Sequence, residues 1–159
     1  MAETKIVVSV VETIKVIKFE STYNKEVKQL ILSVLSEYGF SFHSEWDSDL
    51  DNIEATYSGR SGFWIAVDGS KIIGTSALLE YQNNNAILKR MYLSRTYRGK
   101  GIGYRLLDEA ISFARTKMYS EILLDTTRTM VQAQKLYTAF GFIKTKEQDE
   151  LIIYKLKLK

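Results

Sequence analysis

Apolar positions along the chain change their period several times, and each change marks an element. Lys5 to Phe19 is rich in Val and Ile and reads as strand, either one long strand or two with a bend near Glu12. Val27, Leu30, Ile31, Val34, Leu35 and Tyr38 then recur at helical spacing, and Gly39 stands where a helix C-cap glycine belongs. Asp47 or Ser48 is placed to cap a second, short helix carrying Leu50, Ile53 and Tyr57 on one face. The period then shortens. Phe63 to Val67 is an apolar run ending at Asp68-Gly69, a hairpin turn, and Lys71 to Tyr81 is the return strand. Asn83-Asn84-Asn85 turns the chain again into a third strand, Ala86 to Leu93. Helical spacing returns from Ile102 to Met118 through Leu106, Ala110 and Ala114, widened by Leu107 and Ile111. Ile122-Leu123-Leu124 reads as a short buried strand. Thr129 is a candidate cap for a helix bearing Met130, Ala133, Tyr137 and Phe140 and closed by Gly141, and Phe142 to Thr145 and Leu151 to Leu158 read as strands. The order β-α-α-β-β-β-α-β-α-β-β predicts an α/β (α+β) fold with a mixed, mostly antiparallel sheet and helices on its faces.

Composition narrows the chemistry more than the fold. The 159 residues fit one domain, 1–159, with no proline and no linker-like or repeated stretch. Without cysteine, disulfides, thiolate catalysis and Cys-ligated zinc are excluded, and with His43 the only histidine no metal site is expected. The net charge of +3, from 22 basic and 19 acidic residues, is too mild to argue for nucleic acid. Lys155, Lys157 and Lys159 alternate with apolar residues as the outer positions of a strand do. The apolar run Ile6 to Val11 is too short for a signal segment or a membrane span, so a soluble, cytoplasmic protein is expected.

One segment carries chemistry of its own. After the strand ending at Leu93, a basic loop leads through Arg98-Gly99-Lys100-Gly101-Ile102-Gly103 straight into a helix. The first turn of a helix leaves N–H groups unpaired and carries partial positive charge, and glycines let a phosphate approach that backbone. Arg95, Arg98, Lys100 and Arg105 surround the turn, which therefore reads as a diphosphate site. It lacks the Lys-Ser/Thr ending of a P-loop. Tyr104 or Leu106 stands where a dinucleotide fingerprint needs its last glycine, and the preceding strands form a meander rather than a parallel βαβ unit.

This segment resembles the Gln/Arg-x-x-Gly-x-Gly/Ala signature of the GNAT N-acetyltransferase superfamily. Ala133, Leu136-Tyr137 and Gly141-Phe142 resemble its Ala-x-x-Leu-Tyr-x-x-x-Gly-Phe pattern, and the element order is similar from about Ile14 onward. The resemblance implies acetyl-CoA as cosubstrate. Arg98, Gly99, Lys100, Gly101, Ile102, Gly103 and Tyr104 would hold its pyrophosphate, and Met91, Tyr92 and Leu93 would run beside the pantetheine. In the family that strand is locally distorted, so its free amides can polarise a carbonyl, while the Met91 and Leu93 side chains simply pack. Tyr137 would bind the coenzyme and protonate the departing thiolate.

Two positions depart from the family pattern. Met130 stands where the family often has Asn, leaving its contact to backbone or to Gln134. Arg90 stands where many members carry a Glu acting as general base, so Glu80, at the end of the preceding strand, or a water chain is the candidate to take the amine proton. The resemblance also directs the acceptor to the loop Phe40 to Trp46. That loop makes His43 and Trp46 candidate substrate contacts, joined by Arg90 if it faces an acceptor carboxylate. The expected activity is acetyl transfer to the primary amine of a small, amino-acid-like metabolite by direct attack in a ternary complex. A homodimer is compatible with it, and no membrane or nucleic-acid partner is expected. A protein N-terminal or lysine acetyltransferase, and a coenzyme-A-binding module without turnover, remain the alternatives.

Overall fold

The structure, a computed structural model, describes residues 13–158. Seven strands form one sheet in the order β1-β2-β3-β4-β5-β7-β6. They are β1 (Ile14–Lys18), β2 (Gly62–Asp68), β3 (Lys71–Tyr81), β4 (Asn85–Leu93), β5 (Glu121–Thr127), β6 (Ile143–Gln148) and β7 (Leu151–Lys157). The helices are α1 (Asn24–Glu37), the single turn α2 (Ile53–Thr56), α3 (Ile102–Thr116) and α4 (Val131–Phe140). The element order is the one the sequence pattern predicts. Of the expected strand Lys5–Phe19 only β1 is described; residues 5–12, and with them the choice between one strand and two, lie outside the described residues.

Alternation along β2 shows why helices cover both faces. Phe63, Ile65 and Val67 pack with Val27, Ile31 and Leu35 of α1 and with Leu50, Ile53 and Tyr57. Trp64, between them in sequence, packs on the other face with Leu107, Ala110, Ile111 and Ala114 of α3. The hairpins close on residues that tolerate the left-handed region: Gly69 at φ 60°, and Asn83 and Asn84 at 60° and 57°.

Several boundaries differ from the sequence reading. Helix α3 stops at Thr116, because Met118 takes φ 64° and ends the helical run. Strand β5 extends to Thr127, since β7 pairs it throughout from Glu121↔Lys157 to Thr127↔Leu151. Thr129 does not cap α4: its hydroxyl bonds to that of Thr127, and Met130 is the residue before the helix. Asp47 and Ser48 lead into a 3-10 turn over Ser48–Asp51, with α2 following.

One pairing is parallel, and it is short. Only Asn85, Ala86 and Ile87 of β4 pair with Glu121, Ile122 and Leu123 of β5. Beyond Ile87 the two strands part, while β4 runs on to Leu93 and β5 to Thr127. The sheet thus opens into a wedge at the C-terminal end of β4, the end from which the glycine-rich turn departs.

Candidate active site

The wedge widens into a cleft of about 620 Å³. Its walls are Met91, Tyr92 and Leu93 of β4, Val34 and Tyr38 at the end of α1, Arg95, Arg98, Gly99, Gly101, Gly103 and Tyr104 of the turn, and Met130, Gln132, Ala133 and Leu136 beside α4. One end is therefore glycine backbone and guanidinium, and the other is largely apolar.

Glycine is needed at two positions of the turn. Gly99 and Gly101 sit at φ 78° and 81°, where an L side chain is strained. At Gly103 a Cβ would lie 3.4 Å from Leu136 and 3.8 Å from Met91, ordinary packing distances, so that position has room for a small side chain. Gly101 precedes the first helical residue of α3, and no side chain caps that end. The first helical hydrogen bond is Arg105 N–H to Gly101 O at 3.3 Å, so the amides ahead of it face outward with the helix dipole behind them.

The nearby cations divide their work. Arg98 donates from Nε to Leu93 O at 3.0 Å and from Nη1 to Glu37 at 2.8 Å, which ties the turn to β4 and α1 while Arg98 still lines the cleft. Arg105 donates to Ile14 O at 2.8 Å and so braces β1 instead. Lys100 lies 5.7 Å over the Tyr97 ring. Arg95 and Arg98 are the cations left to the cleft lining.

Strand β4 carries a bulge at the cleft. Thr75 pairs with Tyr92 and Ala77 with Lys89, so the single residue Ser76 faces both Arg90 and Met91. Arg90 takes φ 53°, a conformation rarely adopted by non-glycine residues. Buried hydroxyls fix the distortion: Thr75 donates to Arg90 O at 2.7 Å, and Ser76 donates to Leu106 O of α3 at 2.9 Å. The distortion falls on the strand for which the family resemblance predicts one; beyond it Tyr92 and Leu93 pair with Thr75 and Gly74 of β3, while their other edge, past Ile87, has no β5 partner.

The Arg90 side chain turns toward the loop between α1 and α2. It donates from Nε to Asp49 Oδ2 at 2.9 Å and from Nη2 to Asp47 Oδ1 at 3.0 Å, Asp49 Oδ1 at 2.5 Å and Trp46 O at 3.1 Å. Arg90 is 8% exposed and Asp47 7% exposed, so these bonds operate away from bulk water. Tyr57 donates to Asp49 Oδ2 at 2.6 Å. Burial works to raise the Asp49 carboxyl, but the hydrogen bonds from Arg90 and Tyr57 and the Arg90 charge prevail and hold it below the usual carboxylate range. Burial works against the Arg90 charge in turn, and the bond to Asp49 and the surrounding negative groups overcome it.

Tyr137 follows the cleft residue Leu136 but is not itself among the residues lining the cleft; it is buried against Phe142 and Tyr154 with ring centroids 5.8 Å and 6.1 Å away. Burial pushes its hydroxyl well above the usual tyrosine range, and Tyr92 and Asp125 add to the shift. Tyr92, on the cleft wall, is also raised by burial, against the opposing influence of Arg90.

The structure thus gathers Met91, Tyr92, Leu93, Arg98, Gly99, Gly101, Gly103, Tyr104 and Met130 around one cleft, with Ile102 buried beneath it. Glu80 is not brought there. It ion-pairs with Arg60 at 3.0 Å, at the opposite end of β3 from the turn, where β3 and β4 begin their hairpin. Arg90 does not offer a free guanidinium, because two carboxylates already occupy it. Gln134 donates to Thr127 O at 2.9 Å and is not among the cleft residues, whereas Gln132 is. His43 and Trp46 stack at 4.0 Å on the exposed loop whose backbone Arg90 holds. Sequence reasoning missed Asp47 and Asp49 as the partners of Arg90, and it read Val34 and Tyr38 only as a core stripe. The i, i+4 spacing of that pair at the end of α1 was the available signal, and nothing local marks the two aspartates as its partners.

A trough with an anion-accepting backbone at one end and an apolar run beyond it fits an extended acyl donor that carries a diphosphate. Residues 28–142 match the acetyltransferase (GNAT) family. N-acetylaspartate synthetase of Xenopus tropicalis is 38% identical over 98 residues, covering 60% of this chain and 36% of that protein. N-acetyltransferase 8B of Homo sapiens is 33% identical over 105 residues, covering 62% and 46%. The chain spans only about a third to a half of these curated relatives. Over nearly its full length it is similar to the crystal structure of a GNAT-family acetyltransferase from Staphylococcus aureus Mu50, with a TM-score of 0.84, 30% identity, and 92% and 99% of the two chains covered. The PaiA N-acetyltransferase of Thermoplasma acidophilum, solved with coenzyme A, shares the fold at a TM-score of 0.74 and 22% identity, over 91% and 98% of the chains. With the family match spanning most of the sequence and the cleft built as described, the chain belongs to the GNAT acetyltransferase family, the acetyl-CoA-dependent acyltransferases.

Proposed function

We propose that this protein transfers an acetyl group from acetyl-CoA to the primary amine of a small, amino-acid-like acceptor. The observation that carries the reading is the juxtaposition, in one cleft, of the glycine turn at Gly99–Gly103 with the bulged strand at Arg90–Met91. Bound there, acetyl-CoA supplies a thioester as activated acyl group.

The chain's own residues account for the rest. The outward amides of the turn, with Arg95 and Arg98, hold diphosphate oxygens. The backbone of Met91 to Leu93 aims N–H groups at a carbonyl oxygen that gains negative charge, a contribution of roughly 3 kcal/mol per donor. Tyr137 keeps its proton at neutral pH and is suited to give it to a departing thiolate, whose conjugate acid has a pKa near ~8.5. Among the described residues no carboxylate lines the cleft, so the amine releases its proton to water at the cleft mouth.

The similarity to N-acetylaspartate synthetase supports an amino-acid-like amine, with aspartate among the first compounds to try. A thiol-release assay over amino acids, simple amines, polyamines and peptides tests the reading. Release of coenzyme A with a small amine, matched by acetylated product in mass spectrometry, is the expected result. Turnover confined to peptides, or coenzyme A binding with no turnover at all, overturns it.

A further inference from the structure

Asp47 and Asp49 close on Arg90 from the loop between α1 and α2, and Arg90 sits at the bulge whose next three residues line the cleft. We infer that Arg90 is a positioning residue, its guanidinium fastening the acceptor-side loop to the bulged strand, which Thr75 and Ser76 hold independently through backbone carbonyls. The inference rests on the acetyl-transfer reading above and goes beyond it, because it assigns Arg90 a role toward the loop and none toward an acceptor carboxylate.

Both ends of the residue are fixed. Its carbonyl accepts from Thr75 at 2.7 Å, and its guanidinium reaches Trp46 O, Asp47 and Asp49. A left-handed φ of 53° at a non-glycine residue persists only where the surroundings over-determine it, and these contacts do so. The loop side is equally dependent. Between Gly39 and the 3-10 turn at Ser48 it has no regular structure, and Asp47 accepts from the His43 N–H at 2.9 Å while also bonding Arg90. His43 stacks on Trp46, and the Trp46 carbonyl is itself held by Arg90. Tyr57 anchors Asp49 from beyond α2. With two carboxylates against one guanidinium, the planar fork that would grip an incoming carboxylate is already engaged.

His43 is the only histidine, so its ring Cε1 proton gives one resolvable NMR line, displaced by the Trp46 ring current. Arg90→Lys keeps the charge but not the fork, Asp49→Asn keeps the shape but not the charge, and Arg90→Met removes both. In all three the His43 line is expected to move toward its position in an unstacked peptide, with the Kd for coenzyme A by calorimetry unchanged. For the amine acetylated fastest by the unmodified protein, KM rises about tenfold, with a smaller fall in kcat. The double variant Arg90→Met/Asp49→Asn is no worse than Arg90→Met alone, since the two act as one unit. An unchanged His43 line with unchanged acceptor KM in Arg90→Lys and Asp49→Asn overturns the inference, as does a parallel loss of coenzyme A binding. If the unmodified protein binds coenzyme A but acetylates no amine, the functional reading fails separately, and the His43 line alone decides whether the fastening exists.

Discussion

Burial holds the Tyr137 hydroxyl in its protonated form. With its hydroxyl raised above the ordinary tyrosine range, it stays protonated across the pH at which an amine acceptor becomes nucleophilic. Replacing Tyr137 with Phe is therefore expected to lower kcat by about 10²-fold or less, with the Kd for coenzyme A within error of the original, as read by thiol release and calorimetry. Glu80→Gln, by contrast, is expected to leave kcat unchanged, because that carboxylate serves Arg60. Asp49 gives a stability test. Its folded-state pKa lies below that of the unfolded chain, so the stability it contributes is fully present above ~4 and is lost as pH falls through the folded value. Melting temperatures followed from pH 7 to pH 3 are expected to drop less steeply for Asp49→Asn than for the original, from a lower starting point. At this scale the sequence is readable where a position has a backbone signature, as Gly99 and Gly101 do at φ 78° and 81°. The partners of Arg90 were not readable, since they lie 41 and 43 positions away in a loop with no period to place them.

The glycine turn and the bulged strand are the two elements that make the cleft, and they stood very differently in the sequence. The turn is a local device, since its conformation follows from which positions have no Cβ, and the spacing displays that directly. Gly101→Val places a β-branched side chain at φ 81°, a strain of at least ~1 kcal/mol, at the entry to α3. Coenzyme A affinity measured by calorimetry is expected to fall by tenfold or more, while the melting temperature shifts by only a few degrees. The bulge is the opposite case. It is held by Thr75 and Ser76 on the neighbouring strand, one bonding Arg90 and the other α3, and no pattern within β4 itself announces it. Only the family resemblance anticipated a distortion there. The helices were read well because apolar spacing is intrinsic to them; their ends were misplaced where a single residue such as Met118 breaks the backbone path.

Across the whole molecule, the decisive feature is the narrow parallel seam at Asn85–Ile87. The hairpins of the first half join neighbours in sequence, whereas this seam pairs Asn85 with Glu121 and depends on α3 to bring them together. The element order was legible for that reason, and the sheet order was not: nothing in the sequence says that β7 lies between β5 and β6. Beyond the seam, backbone amides of β4 have no β5 partner, so coenzyme A binding is expected to slow hydrogen exchange at Met91–Leu93 and Gly99–Tyr104 together. Exchange measured by mass spectrometry with and without coenzyme A checks this, and slowing confined to the turn would sever the strand from the donor site. The place of β7 also bears on how the protein is made. Synthesis delivers the turn, the bulge and Tyr137 before it delivers Leu151–Lys157, yet Tyr154, one of the rings against which Tyr137 packs, arrives with that strand. The ring of Tyr154 that packs against Tyr137 therefore comes last, with the strand that enters between β5 and the edge strand β6.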